Sequence, residues 1–147
     1  MPRFGVAAVS ALLIEDDEVA REILEGVLEA YGLSVTAVDT GDEAIALLEQ
    51  GFRYDLLVTD IRLPGRHDGW SVAEEARRHH PRISVIYVTA SHQQNQPVTG
   101  SVFLRKPVRP RLLFDIVGTL LDRGGRAESG VSIRLPDARI GSAGYLH

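Results

Sequence analysis

Short apolar runs alternate along the chain with stretches in which apolar residues recur at every third or fourth position. A short apolar run bounded by turn residues is typical of a buried strand, whereas the wider spacing is typical of a helix with one buried face. The runs predict five strands, at residues 10–14, 34–38, 55–60, 83–88 and 102–104. Strands that alternate with helices indicate an α/β protein with a doubly wound parallel sheet.

The helices predicted between these strands have recognisable ends. In the first helix, Asp17 is placed to cap the N-terminus and Gly32 to stop the C-terminus. Its apolar stripe comprises Val19, Ala20, Ile23, Leu24, Val27 and Leu28. Further helices are predicted over residues 40–51, 71–79 and 109–122.

The length of 147 residues favours one domain with a single core. We divide the chain into an N-terminal extension, a folded domain and a flexible tail, at residues 1–9, 10–123 and 124–147. The alternation of Val131, Ile133 and Leu135 leaves a short extra strand open within the tail.

Composition excludes several classes of protein. With no cysteine, the chain has no disulfide, thiol nucleophile or thiolate metal site. The net charge of −4 aids solubility without indicating a partner. The basic residues form no cluster beyond Arg105-Lys106 and Arg109 with Arg111, so nucleic-acid binding has no strong electrostatic support. No apolar segment approaches the roughly 18 residues of a membrane span, so we expect a cytoplasmic protein without membrane contact.

Charged and polar residues follow the ends of four predicted strands. Glu15 and Asp16 come directly after the first strand, and Asp60 ends the third. Thr89 and Lys106 follow the fourth and fifth strands. Ligands of open α/β sheets bind just outside the carboxyl ends of the strands. If the first and third strands are neighbours, three carboxylates share one small volume.

Carboxylates that lie so close raise one another's pKa unless a cation neutralises them. Mg²⁺ is a suitable cation, because it typically takes one or two carboxylates together with waters and phosphate oxygens. The Thr89 hydroxyl and the Lys106 ammonium complete a set of groups that can bind a phosphoryl group. Asp60 is then placed to act as the nucleophile that accepts this group as an aspartyl phosphate.

With these residues in this order, the chain resembles the receiver domain of two-component response regulators over residues 10–122. The resemblance rests on five elements: Glu15-Asp16, Asp60 with Leu63-Pro64, Asp68-Gly69, Thr89-Ala90 and Phe103-Leu104-Arg105-Lys106-Pro107. It implies the flavodoxin-like fold, a five-stranded parallel sheet in the order 2-1-3-4-5 with helices on both faces. That order places Asp60 beside Glu15 and Asp16.

The resemblance also implies a phosphodonor and a metal. Asp60 would be phosphorylated by a sensor histidine kinase or a histidine phosphotransfer protein, with Mg²⁺ or Mn²⁺ as cofactor. Asp16 and Asp60 would bind the metal directly, and Glu15 through a water molecule. The backbone carbonyl of Arg62 would be a further ligand.

The remaining roles concern the phosphoryl group and its effect. Thr89 and Lys106 would contact the phosphoryl group, and the Lys106–Pro107 bond is usually cis in this family. Phe103 occupies the aromatic switch position, where an inward turn accompanies movement of Thr89 toward the phosphate. Trp70 is predicted to be a packing residue at the start of the third helix.

Two segments depart from the family pattern. The loop at residues 63–69 is one residue longer than usual, which changes what lies over Asp60. Lys106 lies only 17 positions after Thr89, which is fewer than usual. The polar segment in between carries no apolar stripe and contains a proline, so we predict that the helix at residues 92–99 is short, frayed or absent.

These expectations combine in a single-domain response regulator that signals by phosphorylation-dependent protein binding, since no output domain follows in the sequence. We expect a signalling domain rather than an enzyme, and a homodimer stays open. The alternatives are a phosphorylation-independent adaptor or scaffold with the same fold, or a phosphate sink for a kinase. A small-molecule phosphatase is disfavoured, because Arg62 stands where that chemistry needs a second acid.

Overall fold

The computed structural model describes residues 8–90, 97–124 and 138–140. Within these residues the strands are β1 (Ser10–Ile14), β2 (Ser34–Val38), β3 (Leu56–Asp60), β4 (Ser84–Thr89), β5 (Val102–Arg105) and β6 (Ala138–Ile140). The helices are α1 (Glu18–Tyr31), α2 (Gly41–Glu49), α3 (Gly69–His79) and α4 (Pro110–Gly124).

The strands form one sheet in the order β2-β1-β3-β4-β5-β6. The first five strands are parallel, which confirms the predicted flavodoxin-like order 2-1-3-4-5. β6 adds a strand at the edge, antiparallel to β5. Because β3 lies between β1 and β4, its last residue, Asp60, lies in the middle of the carboxyl edge of the sheet, next to the residues that follow β1.

The core lies on both faces of the sheet. One face packs against α2 and α3, and its cluster includes Leu12, Leu57 and Trp70. The other packs against α1 and α4, and its cluster includes Leu13 and Val58. Successive strand residues point to opposite faces, so a strand covered on both sides is apolar throughout. All five residues of β3 are buried for this reason.

The helix ends follow the predicted capping residues. Oδ2 of Asp17 accepts a hydrogen bond from the Ala20 backbone N–H over 2.8 Å, which caps α1. Gly32 ends α1 with a φ of 112°, a left-handed conformation that favours glycine. α3 begins at Gly69, two residues before the predicted start, because Asp68 is its N-cap.

The predicted apolar stripe of α1 is only partly buried. Leu24 and Leu28 are buried, but Val19 is 66% and Ile23 50% exposed. The apolar stripe therefore faces the core only in part. Val19 and Ile23 lie on the exposed side of α1. The residues that follow them, Ala20 and Leu24, are half-buried and buried.

Some predictions fall on residues outside the described part of the chain. These are residues 91–96, where most of the doubtful helix would lie, and the proposed strand at 131–135. The described residues 97–101 contain no helix, and the described strand of the tail is β6. No helix within the described ranges is long and apolar enough to cross a bilayer.

Candidate functional site

The three predicted carboxylates meet at the carboxyl edge of β1 and β3. Oxygens of Glu15, Asp16 and Asp60 all lie within 4.8 Å of one another. Glu15 is fully buried and Asp60 is 8% exposed, whereas Asp16 is open to solvent. The parallel pairing of β1 with β3 produces this arrangement, because it brings both strand ends to the same point.

Lys106 reaches the same point from the end of β5. Its Nζ lies 2.8 Å from Oδ2 of Asp60 and 2.8 Å from Oε1 of Glu15. The Lys106–Pro107 peptide bond is cis, as the resemblance implied. One ammonium group therefore pairs with two carboxylates that follow two other strands of the sheet.

Backbone groups fix the remaining carboxylate oxygens. The Asp17 N–H donates to Oε2 of Glu15 over 3.1 Å, and the Arg62 N–H donates to Oδ1 of Asp60 over 3.2 Å. Arg21 donates from Nη1 to the carbonyl oxygen of Glu15 over 2.9 Å. Sequence reasoning missed Arg21, because nothing in the pattern of α1 distinguishes it from a solvated arginine.

The charges of this site are not fully balanced. Burial raises the pKa of Glu15, and this effect outweighs the hydrogen bonds from Lys106 and Asp17. Burial alone would lower the pKa of Lys106, but its hydrogen bonds to Asp60 and Glu15 raise it overall. Oε1 of Glu15 lies 2.8 Å from Nζ of Lys106, and no other group among the described residues bonds to this oxygen.

This imbalance is the observation that tests whether a metal fits. A buried carboxylate that shares one ammonium group with a second buried carboxylate, beside a third and exposed one, is stabilised by additional positive charge. Hard divalent cations prefer all-oxygen ligand sets of this kind. The acidic cluster of Glu15, Asp16 and Asp60 therefore fits the general metal site of a receiver domain.

Thr89 ends β4, the strand next to β3. Its side chain is 4% exposed, and its carbonyl oxygen accepts a hydrogen bond from the Lys106 N–H over 2.9 Å. In the sheet register Asp60 is opposite Val88, so Thr89 comes one residue beyond the level of Asp60. Thr89 therefore lies at the carboxyl end of β4, beside the strand end that carries Asp60.

Phe103 points into the core. It is 7% exposed, and its ring lies 4.9 Å from the ring of Tyr87 and 5.9 Å from that of Trp70. The rings of Trp70 and Tyr87 are 4.9 Å apart. The prediction that Trp70 packs inside is confirmed. We call Trp70, Tyr87 and Phe103 the aromatic cluster. Within it, Trp70 and Tyr87 hold Phe103, the predicted switch residue, in its inward position.

Tyr87 is a residue that sequence reasoning missed. It is fully buried, and burial raises its pKa to about 12. Its hydroxyl accepts a hydrogen bond from the Val98 N–H over 3.1 Å, which ties the segment before β5 to the aromatic cluster. Tyr87 lies in the apolar run of β4, where one more aromatic residue indicates only a strand.

The extended loop between β3 and α3 forms one wall of a cleft beside the carboxylates. This cleft, of about 470 Å³, is lined by Asp16, Ile61, Arg62, Leu63, Pro64, Asp68 and Trp70. The loop returns close to its origin, because the Gly69 N–H donates to the carbonyl oxygen of Ile61 over 2.8 Å. A Cβ atom at Gly69 would overlap the carbonyl oxygen of Asp60, so only glycine fits there.

Comparisons with known proteins agree with this geometry. The family model described as "Response regulator receiver domain" matches residues 11–117. The transcriptional regulatory protein AfsQ1 of Streptomyces coelicolor is 35% identical over 122 residues, which are 80% of this chain and 53% of AfsQ1. The response regulator SaeR of Staphylococcus aureus is 30% identical over 76% of this chain and 50% of SaeR. The chain thus spans about half the length of these curated relatives.

Solved structures show the same fold. A response regulator receiver protein from Sinorhizobium medicae superposes with a TM-score of 0.73 and 34% identity, over 80% of this chain and 97% of that one. A CheY-like receiver domain protein from Methanospirillum hungatei gives a TM-score of 0.72 with 25% identity, over 82% and 99% of the two chains.

Proposed function

Because the chain belongs to the response regulator receiver domain family, we propose that Asp60 accepts a phosphoryl group from a histidine-phosphorylated protein. The donor is a sensor histidine kinase or a histidine phosphotransfer protein. Phosphorylation then changes the affinity of the domain for a downstream protein. This is a signalling function, in which the domain assists only its own phosphorylation and dephosphorylation.

The observation that carries this proposal is the environment of Asp60. Its carboxylate is nearly buried at the carboxyl edge of β3, bonded to Lys106, and within 4.8 Å of two further carboxylates. A lone aspartate at a strand end would need neither a half-buried lysine nor a second, buried acid. The combination supports a site built for a dianionic group and a cation.

The metal that this site would hold is Mg²⁺ or Mn²⁺. Asp16 and Asp60 would bind it directly, Arg62 through its carbonyl oxygen, and Glu15 through a water molecule. When bound, the metal neutralises oxygens of the phosphoryl group and lowers the repulsion that an approaching carboxylate meets. Glu15 and Asp60 share a single ammonium group, which supports additional positive charge at this position.

The residues of the chain would divide the transfer between them. An oxygen of Asp60 attacks phosphorus, a new O–P bond forms, and the P–N bond to the donor imidazole breaks with its electron pair left on nitrogen. Lys106 stays protonated, because its pKa is raised. Its ammonium passes from the Asp60 carboxylate to an oxygen of the phosphoryl group, which now carries the negative charge.

Thr89 and Phe103 would transmit the change. The aspartyl phosphate carries a charge of about −1.5 to −2 in place of the single negative charge of the carboxylate, and the Thr89 hydroxyl would donate a hydrogen bond to it. This shifts an equilibrium between two conformations of the surface around β4 and β5. The inward position of Phe103 is supported by the aromatic cluster, so it does not require phosphate.

A surface beside the site suits a helical phosphodonor. A groove of about 440 Å³ is lined by Asp17, Ala20, Ile23, Leu24, Val88, Lys106, Pro107 and Val108. The exposed Val19 and Ile23 continue this surface along α1. Exposed apolar residues next to a polar site are typical of protein docking surfaces, which supports a protein rather than a small molecule as the usual donor.

Beryllofluoride, which mimics a phosphoryl group on a carboxylate, tests this proposal. We expect amide resonances of residues around Asp60, Thr89 and Phe103 to shift when beryllofluoride and Mg²⁺ are added together. The Asp60→Asn variant should not respond. A wild-type spectrum that does not change would favour a phosphorylation-independent adaptor or scaffold and overturn the proposal.

A further inference from the structure

The extended loop after Asp60 is held by a residue of another element. Asp42, in the first turn of α2, accepts hydrogen bonds at Oδ1 from the backbone N–H groups of Arg66 and His67, over 3.2 and 3.1 Å. These contacts join parts of the chain 24 and 25 positions apart. A carboxylate that accepts backbone hydrogen bonds forms the stronger, charge-assisted type of bond.

Two glycines let the loop and α2 approach closely. A Cβ atom at Gly41 would overlap the carbonyl oxygen of His67. Gly65 has a φ of +95°, and a Cβ atom there would lie 3.2 Å from Oδ2 of Asp42. Gly41 is therefore required by the lack of space, and Gly65 is favoured by its left-handed backbone conformation. We call the contact of Gly41 and Asp42 with residues 65–67 the loop clamp.

The loop clamp holds the middle of a segment whose two ends lie at the acidic cluster. At the start of the segment, the Arg62 N–H is bonded to Asp60. At its end, Gly69 packs against the carbonyl group of Asp60. The loop in between is a wall of the cleft that also contains Asp16. Movement of residues 65–67 would therefore displace Arg62 and widen this cleft.

We propose that Asp42 is a positioning residue, which acts through the loop clamp to keep the Arg62 carbonyl and the cleft wall in place for the metal and the phosphoryl group. This inference rests on the proposed function. Asp42 does not belong to the acidic cluster, so it acts through the loop and not by contact with the metal. Its role resembles that of the outer partners that orient metal ligands.

A competing explanation is charge alone, because any nearby carboxylate favours cation binding. Two variants of Asp42 separate these explanations. Asp42→Asn removes the charge but keeps the side-chain oxygen that accepts both hydrogen bonds, whereas Asp42→Ala removes both. Glu43→Gln is the matched control, since it removes a charge from the next residue, whose backbone N–H donates to the Thr40 hydroxyl and not to the loop.

The experiment is an NMR titration of the ¹⁵N-labelled protein with Mg²⁺ alone. We expect Asp42→Ala to weaken Mg²⁺ binding about tenfold, the low end of the loss found for outer partners of metal ligands. Asp42→Asn and Glu43→Gln should stay close to the wild type. Amide exchange at Arg66 and His67 should accelerate in Asp42→Ala but not in Asp42→Asn or Glu43→Gln. Gly41→Ala, which displaces the loop without a change of charge, should weaken Mg²⁺ binding as Asp42→Ala does.

Each other outcome overturns the inference in a recognisable way. Equal weakening in Asp42→Asn and Asp42→Ala would show an effect of charge. Wild-type affinity in both Asp42→Ala and Gly41→Ala would show that the loop clamp does not matter to the metal. If the wild type itself bound no Mg²⁺, the proposed function would fail together with the inference, and the variants would not be needed to show it.

Discussion

Lys106 Nζ lies 2.8 Å from Oδ2 of Asp60, although the two residues are 46 positions apart in the chain. The same ammonium pairs with Glu15, so a single cation holds two carboxylates that would otherwise repel each other. We infer that Lys106 maintains the shape of the site when no metal is bound. The metal and the lysine would then share the task of neutralising the acidic cluster.

Replacement of Lys106 tests this sharing. In Lys106→Met without metal, Asp60 and Glu15 face each other unpaired, and we expect a loss of about 1–3 kcal/mol in the free energy of unfolding. Mg²⁺ should restore part of this loss, so it should raise the melting temperature of Lys106→Met more than that of the wild type. Arg105→Met, at the exposed neighbouring position, is the control. Equal stabilisation of all three proteins by Mg²⁺ would contradict the shared role.

Glu15 gives a prediction for the dependence of stability on pH. Burial raises its folded-state pKa above the ordinary 4.5. Its stabilising contribution is therefore fully present below pH 4.5 and is lost as the pH rises through the folded-state value. Glu15→Gln imitates the protonated form, so without metal it should be about 1 kcal/mol more stable than the wild type at neutral pH.

Urea titrations of Glu15→Gln at several pH values, in the presence of EDTA, measure this difference. The gain in stability should grow with pH and disappear toward pH 4. Saturating Mg²⁺ should reduce this gain, because only the wild type has a carboxylate at position 15 in addition to those of Asp16 and Asp60. Glu22→Gln, at an exposed position of α1, should show no such trend. A Glu15→Gln variant that is less stable at pH 7 would contradict the argument.

The hydrogen bond between Tyr87 and Val98 predicts a link between the aromatic cluster and the start of β5. Tyr87→Phe keeps the ring but leaves the Val98 N–H without its acceptor, which should cost about 1 kcal/mol. Amide exchange at Val98 should accelerate, and emission from Trp70, the only tryptophan, should change. Tyr31→Phe is the control, since Tyr31 packs against Phe114, far along α1. Unchanged exchange at Val98 would show that the bond has no energetic weight.

The exposed apolar residues of α1 predict how the phosphodonor is recognised. Ile23→Asp should strongly reduce phosphotransfer from a histidine-phosphorylated protein, because a charge would interrupt the apolar surface next to Lys106. Labelling by acetyl phosphate, which needs no docking, should stay unchanged. Phe52→Asp is a matched control, because Phe52 is 52% exposed but precedes β3, at the opposite end of the sheet. An equal loss of phosphorylation with the protein donor and with acetyl phosphate would show that Ile23→Asp damages the phosphorylation site and not the docking of the donor.

The sheet and the acidic cluster could be predicted from the sequence because two strong signals coincide. Strands buried on both faces are continuous apolar runs, and parallel order brings their carboxyl ends together. Glu15, Asp60 and Lys106 follow three such runs, so their meeting required only the strand order. The predicted N-cap at Asp17 rested on a similarly local signal.

The contacts that were missed connect distant elements without a local signal. Asp42 falls within the predicted helix at residues 40–51, and its partners belong to a loop whose path the sequence does not specify. The exposure of Val19 and Ile23 depends on how α1 lies against the sheet, which periodicity alone does not determine. Tyr87 meets Phe103 and Trp70 only because β4, β5 and α3 are neighbours in space.

The central claim is that Asp60 is the phosphoacceptor, and phosphotransfer profiling tests it most directly. Wild-type protein and Asp60→Asn are incubated with Mg²⁺ and a panel of phosphorylated histidine kinases and phosphotransfer proteins, and intact mass is recorded. We predict that the wild type gains one acid-labile phosphoryl group from at least one donor, and that folded Asp60→Asn gains none. A phosphoryl group of the same lability on Asp60→Asn, or none on the wild type from any donor or from acetyl phosphate, would contradict the claim.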